Sequence, residues 1–447
     1  MSEVIAERAV VIGAGMGGLA AAKAVAPFFE HVTVLDRDAL PEAAAPRIGT
    51  PQARHVHALL SSGERALEEL FPGIGSDFRK AGAVILRDQD VVLERPGYNP
   101  FPRRDFGFET ISLSRPVIER VCRRRLEGEL NVDIRSRARV VGLVSSADRR
   151  VVAAVRYEDE KEAVHELAAD LVVDASGRAI PTLSFLESIG SPNPEQTEIG
   201  VDVGYASAIF EPSDASRDWM GLLHFGMPPG EGRGALILPI ENGRWLVSIG
   251  RRPSGEMPSD IESLIAYTRT LRTPTAWEAL RKAKPVTDVA RYGFPASVRR
   301  HFHKLDLPRG LVPVADSICR FNPLFGQGMS VAAMEAVMLG KLLAARRSSR
   351  DPFDGLGTDF LAAIQETLEA PWSVAISDFA YAHTTGERPP DLAQRLQYSQ
   401  ALLNLAAQDA DVHKLMVEVS QLIKPQSALR EPAIAERARA LMSPALA

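Results

Sequence analysis

The chain has 447 residues, 45% of them hydrophobic and 24% charged, with a net charge of −5 and two cysteines. That is enough for two or three domains around a large core, and the balance is that of an ordinary globular protein. It excludes the global basic field that favours nucleic acid; Cys122 and Cys319 form neither a disulfide framework nor a zinc spacing, so a reducing, cytoplasmic location is expected.

The first residues, MSEVIAERAVVIGAG, carry Glu3, Glu7 and Arg8 where a leader would have a basic region followed by an apolar one, so no secretory leader is expected. No apolar run approaches the ~18 residues of a spanning helix. MGGLAAAKAVAPFF comes nearest, and Lys23, Pro27 and its glycines make it a buried helix. Ala9 to Ile12 read as a buried strand, and Gly13, Gly15 and Gly18 follow as G-x-G-x-x-G. A small-residue helix is predicted from about Gly17 to Val25, then a second buried strand, Val32 to Leu35, ending in Asp36. Asp36 stands 23 residues after Gly13, near the ~20 expected of an acid that binds a ribose hydroxyl. Gly13 allows a tight turn, Gly15 lets the backbone approach a pyrophosphate, and Gly18 lets helix and strand pack closely. The helix N-terminus offers free N–H groups and a positive dipole end to the anion. The fingerprint predicts a dinucleotide without saying which.

Arg37 to Ala58 is a Pro- and Ala-rich loop leading into a helix over Leu59 to Leu70, and AGAVILRDQDVVLERP alternates like paired strands. Ser114 and Pro116 open a helix, whose Arg123-Arg124-Arg125 run reads as a solvated face. Three strands follow, the last ending in LVVDASGR with Asp174. Strands dominate from about Asn193 to Arg252. A second glycine triplet, Gly230 to Gly234, precedes a strand and not a helix, so it reads as a hairpin loop. Phe210, Phe225 and Trp245 in this block are candidate substrate-pocket wall, with core packing the equal alternative. GLVPVAD is again a buried strand, followed by a helix on which Met334, Met338 and Leu342 form a core stripe. After Asp354 the chain reads as helical. The fold class expected is α/β: a discontinuous Rossmann-type (GR2-like) domain over 1–190 and 291–355, an inserted β-sheet substrate domain over 191–290 with part of 75–110, and a helical region over 356–447.

VADSICRFNPLFGQGMS, from Val314 to Ser330, carries a second cluster of ligand-type residues. Asp316 at the strand end can accept hydrogen bonds from a polyol or sugar hydroxyl, and Pro323 stiffens the loop. Gly326 and Gly328 let backbone N–H groups approach a planar ligand, and a helix starting near Gln327 aims its positive end there. An isoalloxazine ring fits, since its reduction puts negative charge on the edge such a dipole stabilises.

GAGMGGL, ADLVVDASGR and VADSICRFNPLFGQGMSVAAMEA together resemble the FAD-dependent monooxygenases of the p-hydroxybenzoate hydroxylase fold. Within them the likeness is greatest to squalene monooxygenase and the bacterial polyether epoxidases, helped by RIGTPQARHVHALL and PWSVAISDFAYAHTTGERPP. The resemblance implies that Gly13, Gly15, Gly18 and Asp36 serve the ADP half of FAD, and that Ala14, Met16, Arg37, Arg47 and Pro323 also belong to the cofactor site. Arg115 would reach the flavin side, Asp316 the ribityl chain, and Gly326, Gln327, Gly328 and Met329 the flavin. Asp174 and Gly177 fall in the motif that braces the cofactor. The chain departs from the family pattern at Ala315-Asp316, where Gly-Asp is usual, and at DASGR, where Asp-Gly is usual.

The chemistry so implied is insertion of one oxygen from O₂ into an apolar organic substrate through a flavin hydroperoxide, as epoxidation of an alkene or hydroxylation in secondary metabolism. NAD(P)H or a partner flavin reductase would supply electrons, and no protein residue is assigned as catalytic. His57 is a candidate for the substrate side or a structural histidine. His55/His57 and His301/His303 lack a third ligand, so no metal is expected. No G-x-S-x-G elbow is present, nor the G-W-x-W-x-I-P segment of flavin halogenases. Two rivals stay open: a flavin reductase or dehydrogenase of an isoprenoid-like substrate, and a non-catalytic FAD-binding redox sensor.

Overall fold

A computed structural model describes residues 4–213, 217–230 and 232–442. Its first sheet has five strands in the order Leu311–Pro313, Leu171–Asp174, Ala6–Ile12, Phe29–Leu35 and Val132–Arg135. All neighbours are parallel. The strands are apolar on both faces because both faces are covered. Ala9, Val11, Val34 and Val173 pack under the helices Met16–Val25 and Gly328–Ala345. Val10, Ile12, Leu35 and Val172 pack under an antiparallel three-stranded meander, Arg139–Ser145, Val152–Glu158 and Val164–Ala168, and the helix Ile180–Ile189. The register pairs Ile12 with both Leu35 and Asp174, and Asp174 with Pro313. The carboxyl ends of four strands are therefore level, and the loops leaving them meet at one edge, where open α/β sheets bind ligands.

The second sheet has eight strands. Its path runs Cys319–Arg320, Ala290–Arg300, Gln196–Glu211, Arg244–Arg251, Gly234–Ile240, Gly221–His224 and Val91–Glu94, with Lys284–Pro285 joined to Gln196–Glu211. Ala290–Arg300 and Cys319–Arg320 carry this sheet past residue 290, while Leu311–Pro313 between them returns to the first sheet. Period-two alternation divides the second sheet's side chains. Phe210, Leu222, Ile237, Trp245 and Val247 pack on one face beneath Ile261–Thr268 and Thr275–Leu280. The other face looks toward the C-terminal helices Leu392–Gln408 and Ala410–Ser420, which build their own cluster around Phe101.

Three expectations are corrected. The two halves of AGAVILRDQDVVLERP do not pair with each other. Val84–Arg87 pairs with Glu109–Ser112, and Val91–Glu94 joins the second sheet beside Gly221–His224. A helical turn at Asp88–Asp90, closed by the Asp90 carboxylate on the Arg87 N–H (2.8 Å), redirects the chain between them. The arginine run is not a uniform solvated face, since Arg123 is buried with its guanidinium on the Pro41 carbonyl. Against the expectation that no apolar run reaches spanning length, Gly328–Ala345 is long and apolar enough to cross a membrane by length and composition; more than half of it is buried inside the molecule. Its apolarity answers to packing on Met16–Val25 and Ser61–Leu70. The Gly230–Gly234 loop joins two antiparallel strands as expected of a hairpin, although Glu231 lies outside the described residues.

Candidate functional site

The glycine loop sits at the level edge. Gly13 has φ +98°, and a Cβ there would stand 2.7 Å from the Ala175 carbonyl oxygen. A Cβ on Gly18 would collide with the Gly13 carbonyl at 1.7 Å. Gly15 differs. It caps Met16–Val25 with no side-chain hydrogen bond, and a Cβ there would meet only the Arg47 Nη2, at 3.8 Å. Free N–H groups, a helix dipole and a guanidinium thus converge over Gly15, the donor set a pyrophosphate needs. Met16 is buried in the helix's packed face.

Asp36 is buried and accepts from the Ala14 N–H (2.6 Å) and the Asp38 N–H (2.8 Å). Arg47 lies 3.3 Å from Asp36 and 2.7 Å from Asp38, with Glu119 at 3.6 Å. Burial pulls the Arg47 pKa down, but Asp36, Glu119 and Asp38 together hold it above its ordinary value. Glu119 also pairs with Arg115 at 2.8 Å, and Arg115 Nη1 lies 3.4 Å from His57 Nε2. A continuous chain of paired polar groups therefore runs from Asp36 through Arg47, Glu119 and Arg115 to His57. His57 donates its Nδ1–H to the His55 carbonyl (2.8 Å), and burial, then the Arg115 charge, push its pKa down to about 3. It is a neutral acceptor facing Arg115. Arg37 is exposed on the loop beyond Asp36.

At the second cluster, Asp316 is half-buried, and its carboxylate has no hydrogen-bond donor among the described residues. Burial raises its pKa, with Arg115, Arg320 and Arg300 working against that rise. An acceptor so placed suits a hydroxyl-bearing chain. Ala315 holds φ +56°, the left-handed conformation that glycine usually takes. Its N–H donates to the Glu335 carboxyl (2.6 Å), and Gly17 leaves room for its methyl. Gly326 (φ +66°) and Gly328 follow, and Gly328–Ala345 begins at Gln327 without a side-chain cap. Gln327 is buried with its Oε1 unpartnered, and Met329 is buried beside it. Pro323 opens a single turn, Pro323–Phe325, locked by Asn322, whose Oδ1 accepts from the Leu324 N–H (3.1 Å) and the Tyr205 hydroxyl (2.8 Å). Asn322 Nδ2 donates to Asp378 (3.0 Å), and Asp378 pairs with buried Arg252. Gly177 (φ +81°) turns the chain beside Asp316. Asp174 has a different place: it is fully buried, and Thr182 Oγ1 (2.6 Å) and the N–H of Ser176 (2.9 Å) take up its carboxylate. Its carboxylate braces the loop that leaves the strand.

A cavity of about 1000 Å³ opens between the second sheet, the Pro323–Gly326 loop and the C-terminal helices. Leu93, Leu223, Phe225, Leu236 and Leu238 form much of its apolar wall. Phe225 is thus on the wall, as expected. Phe210 and Trp245 are not, because alternation turns them to the sheet's other face, where they are buried in its core. His57 lines a separate small pocket with His55, Tyr205 and Tyr292. Sequence reasoning missed Asp38, Glu119, Asn322, Glu335 and Asp378. Glu119 stood four residues after Arg115 on a predicted helix, and Glu335 stood as a lone acid within an apolar helix, both legible signs. Among the described residues no group of three or more His, Cys, Asp or Glu can hold a metal ion.

With this geometry in view, the chain is 32% identical over 396 residues to Protein Rv3254 of Mycobacterium tuberculosis, covering 86% of this chain and 82% of that protein. The chain belongs to the family of Protein Rv3254. Its fold within that family is the p-hydroxybenzoate hydroxylase fold of FAD-dependent monooxygenases and halogenases. The flavin-dependent brominase Bmp2 superposes with a TM-score of 0.67 at 14% identity, over 97% of this chain and all of that one (100%). PqsL, a probable FAD-dependent monooxygenase from Pseudomonas aeruginosa, superposes with a TM-score of 0.61 at 18% identity, over 84% of this chain and 98% of that one. No family model matches the sequence.

Proposed function

We propose that this member of the Rv3254 family is an FAD-dependent monooxygenase that inserts one oxygen atom from O₂ into an apolar organic substrate, by epoxidation of an alkene. The observation that carries the reading is the cavity of about 1000 Å³, apolar along its sheet wall, that ends on the glycine-flanked loop Pro323–Gly326. The fold shared with flavin-dependent monooxygenases and halogenases supports FAD as the cofactor. The choice of epoxidation rests on the resemblance of the sequence to squalene monooxygenase and the polyether epoxidases.

The residues present fit the cofactor. Arg47 and the uncapped helix at Gly15 would hold the pyrophosphate, Asp36 the ribose, Asp316 the ribityl chain, and Gly326 to Met329 the ring. When bound, FAD supplies the two-electron and oxygen chemistry that side chains lack. The protein's own part is placement and exclusion. The uncapped helix at Gly328 would offer its positive end to negative charge on a ring held there. Asn322 and Asp378 fix the loop against which the ring would lie. Neutral His57 gives Arg115 an acceptor, so the guanidinium is held at the flavin side by Glu119 and His57. The sheet and the C-terminal helices wall the substrate space, which limits entry of water to a reactive centre. NAD(P)H or a partner reductase would supply the electrons.

The test is incubation of the reduced holoprotein with ¹⁸O₂ and candidate polyenes. Substrate-dependent oxygen uptake with one ¹⁸O in the product is the expected result. Reduction of the alkene without label would assign the protein to the reductases. Flavin reoxidation indifferent to every organic compound would assign it to the redox sensors.

A further inference from the structure

Six arginines and two aspartates line the cavity, and most of the arginines are already answered. Arg103 pairs with Asp218 at 2.5 Å, Arg252 with Asp378, and Arg87 with Asp105 and Glu109. Arg104 donates to the carbonyls of Ala406 (2.6 Å) and Ala407 (2.8 Å). Arg251 has no ion pair among the described residues, and its Nε is not among the closed, unpartnered atoms. Arg95 is the exception. Its Nε is closed to solvent and has no hydrogen-bond partner, and no ion pair reaches its guanidinium among the described residues. Burial lowers its pKa from the ordinary arginine value, with no carboxylate near enough to offset the effect. A guanidinium does not deprotonate in a protein, so a full charge stands beside an apolar wall without a counter-ion among the described residues.

The fold places that charge deliberately. Val91, Leu93 and Arg95 alternate onto the cavity side of their strand, opposite Val92 and Glu94. The backbone at Arg95 is fixed by a reciprocal pair of bonds with Tyr98, N–H to carbonyl at 2.9 and 2.8 Å, around Gly97 at φ +84°. The Phe101 N–H on the Leu93 carbonyl (2.7 Å) holds the next turn. The backbone that carries the guanidinium is therefore fixed, and only the side-chain torsions are left to be ordered by a ligand. Arg95 is half-buried, with Nε closed and the Nη atoms open to the cavity, so an anion that enters the cavity can answer the charge.

We propose that the cavity takes an organic anion with a long apolar body and a carboxylate end, and that Arg95 is the specificity-determining residue that fixes that end. This deepens the monooxygenase reading and rests on it for the cavity's role. The carboxylate would accept two parallel N–H bonds from the guanidinium, the geometry in which arginine exceeds lysine, while the apolar body lies along Leu93, Leu223 and Phe225. The charged end also sets which part of the chain reaches the Pro323–Gly326 loop.

Equilibrium binding to the FAD-loaded protein tests this without turnover. The probe is cis-parinarate, a fluorescent polyene carboxylate, against its neutral methyl ester. The wild type should bind the acid roughly 10-fold or more tighter than the ester. Arg95→Met should bring that ratio to about 1, with ester affinity and FAD content unchanged, and Arg95→Lys should leave a preference of only ~3-fold. Arg103→Met, whose partner is Asp218, should leave the ratio within about twofold. Equal binding of acid and ester by the wild type, an unaltered ratio in Arg95→Met, or no saturable binding of the acid each overturns the proposal. If Arg95→Met loses FAD, the ratio in Arg95→Lys decides. Binding that meets these expectations without ¹⁸O incorporation would keep the anion site and reject the monooxygenase reading. Incorporation without acid preference would do the reverse.

Discussion

Gly15 and Gly18 stand three residues apart and ask different things of a side chain. A Cβ on Gly18 meets backbone at 1.7 Å, whereas one on Gly15 meets only a flexible guanidinium tip at 3.8 Å. Gly15→Val should therefore fold near the wild-type Tm and lose FAD, while Gly18→Val should fail to fold; flavin fluorescence titration beside thermal melts checks both. A folded Gly15→Val protein with wild-type FAD affinity would move the nucleotide elsewhere. Glu335 carries a pH signature. Burial chiefly, with the Asp316 charge added, lifts its pKa from 4.5 to about 8, and the Ala315 N–H opposes the rise. Between those values the folded state holds a proton that the unfolded chain releases, so this group's contribution falls as pH rises through the window. Glu335→Gln keeps an acceptor for the Ala315 N–H and cannot ionise. Its Tm should match wild type near pH 5 and exceed it increasingly toward pH 8.5. A Tm difference that does not change with pH would show that Glu335 is ionised throughout.

The crossing of two helices and one loop decides the departure at Ala315. The family pattern has glycine there, and this chain keeps the left-handed turn at φ +56° with a methyl in place. The methyl fits because position 17, in the first turn of Met16–Val25, is glycine: a Cβ at 17 would stand 2.8 Å from the Ala315 Cβ. Gly17→Ala should thus destabilise by ~1–3 kcal/mol through overpacking. Ala315→Gly should stay within about 1 kcal/mol of wild type, since relief of left-handed backbone offsets a lost methyl contact. The double variant should recover most of the Gly17→Ala loss, a coupling read from urea denaturation of all four proteins. Additive effects would mean the two positions do not share that space.

On the scale of the whole molecule, the cavity is closed by chain segments far apart in sequence. Arg104 ties one of them down, with two bonds to the last carbonyls of Leu392–Gln408 and a 3.0 Å contact to His413 Nδ1. Burial, then the Arg104 charge, push the His413 pKa down to about 4, so the ring is a neutral acceptor. Cations at helix C-termini also complement the dipole. Arg104→Ala should cost about 1–3 kcal/mol locally. Hydrogen exchange should then speed up across residues 392–442 and remain slow in the parallel sheet. Loss of protection spread evenly over both regions would mean that the C-terminal helices unfold only with the rest.

The sequence by itself determined the nucleotide half. Strand, glycine turn, helix, strand and Asp36 are local, and each part has a steric or electrostatic reason that needs no distant partner. The loop from Asp316 to Met329 was legible for the same reason, because proline, positive-φ glycine and a helix start are short-range features. Tertiary structure alone decided what depends on which strands become neighbours. That Thr182 and Ser176 take up the Asp174 carboxylate could be seen only once the strand and the helix after it were folded together. Phe210 and Phe225 looked alike in sequence, and only the sheet's register sent one into the core and the other to the cavity. Arg95 was one arginine among many until the fold left it without a counter-charge among the described residues, since a missing counter-charge is a property of everything packed around a residue and of nothing in its own neighbourhood along the chain.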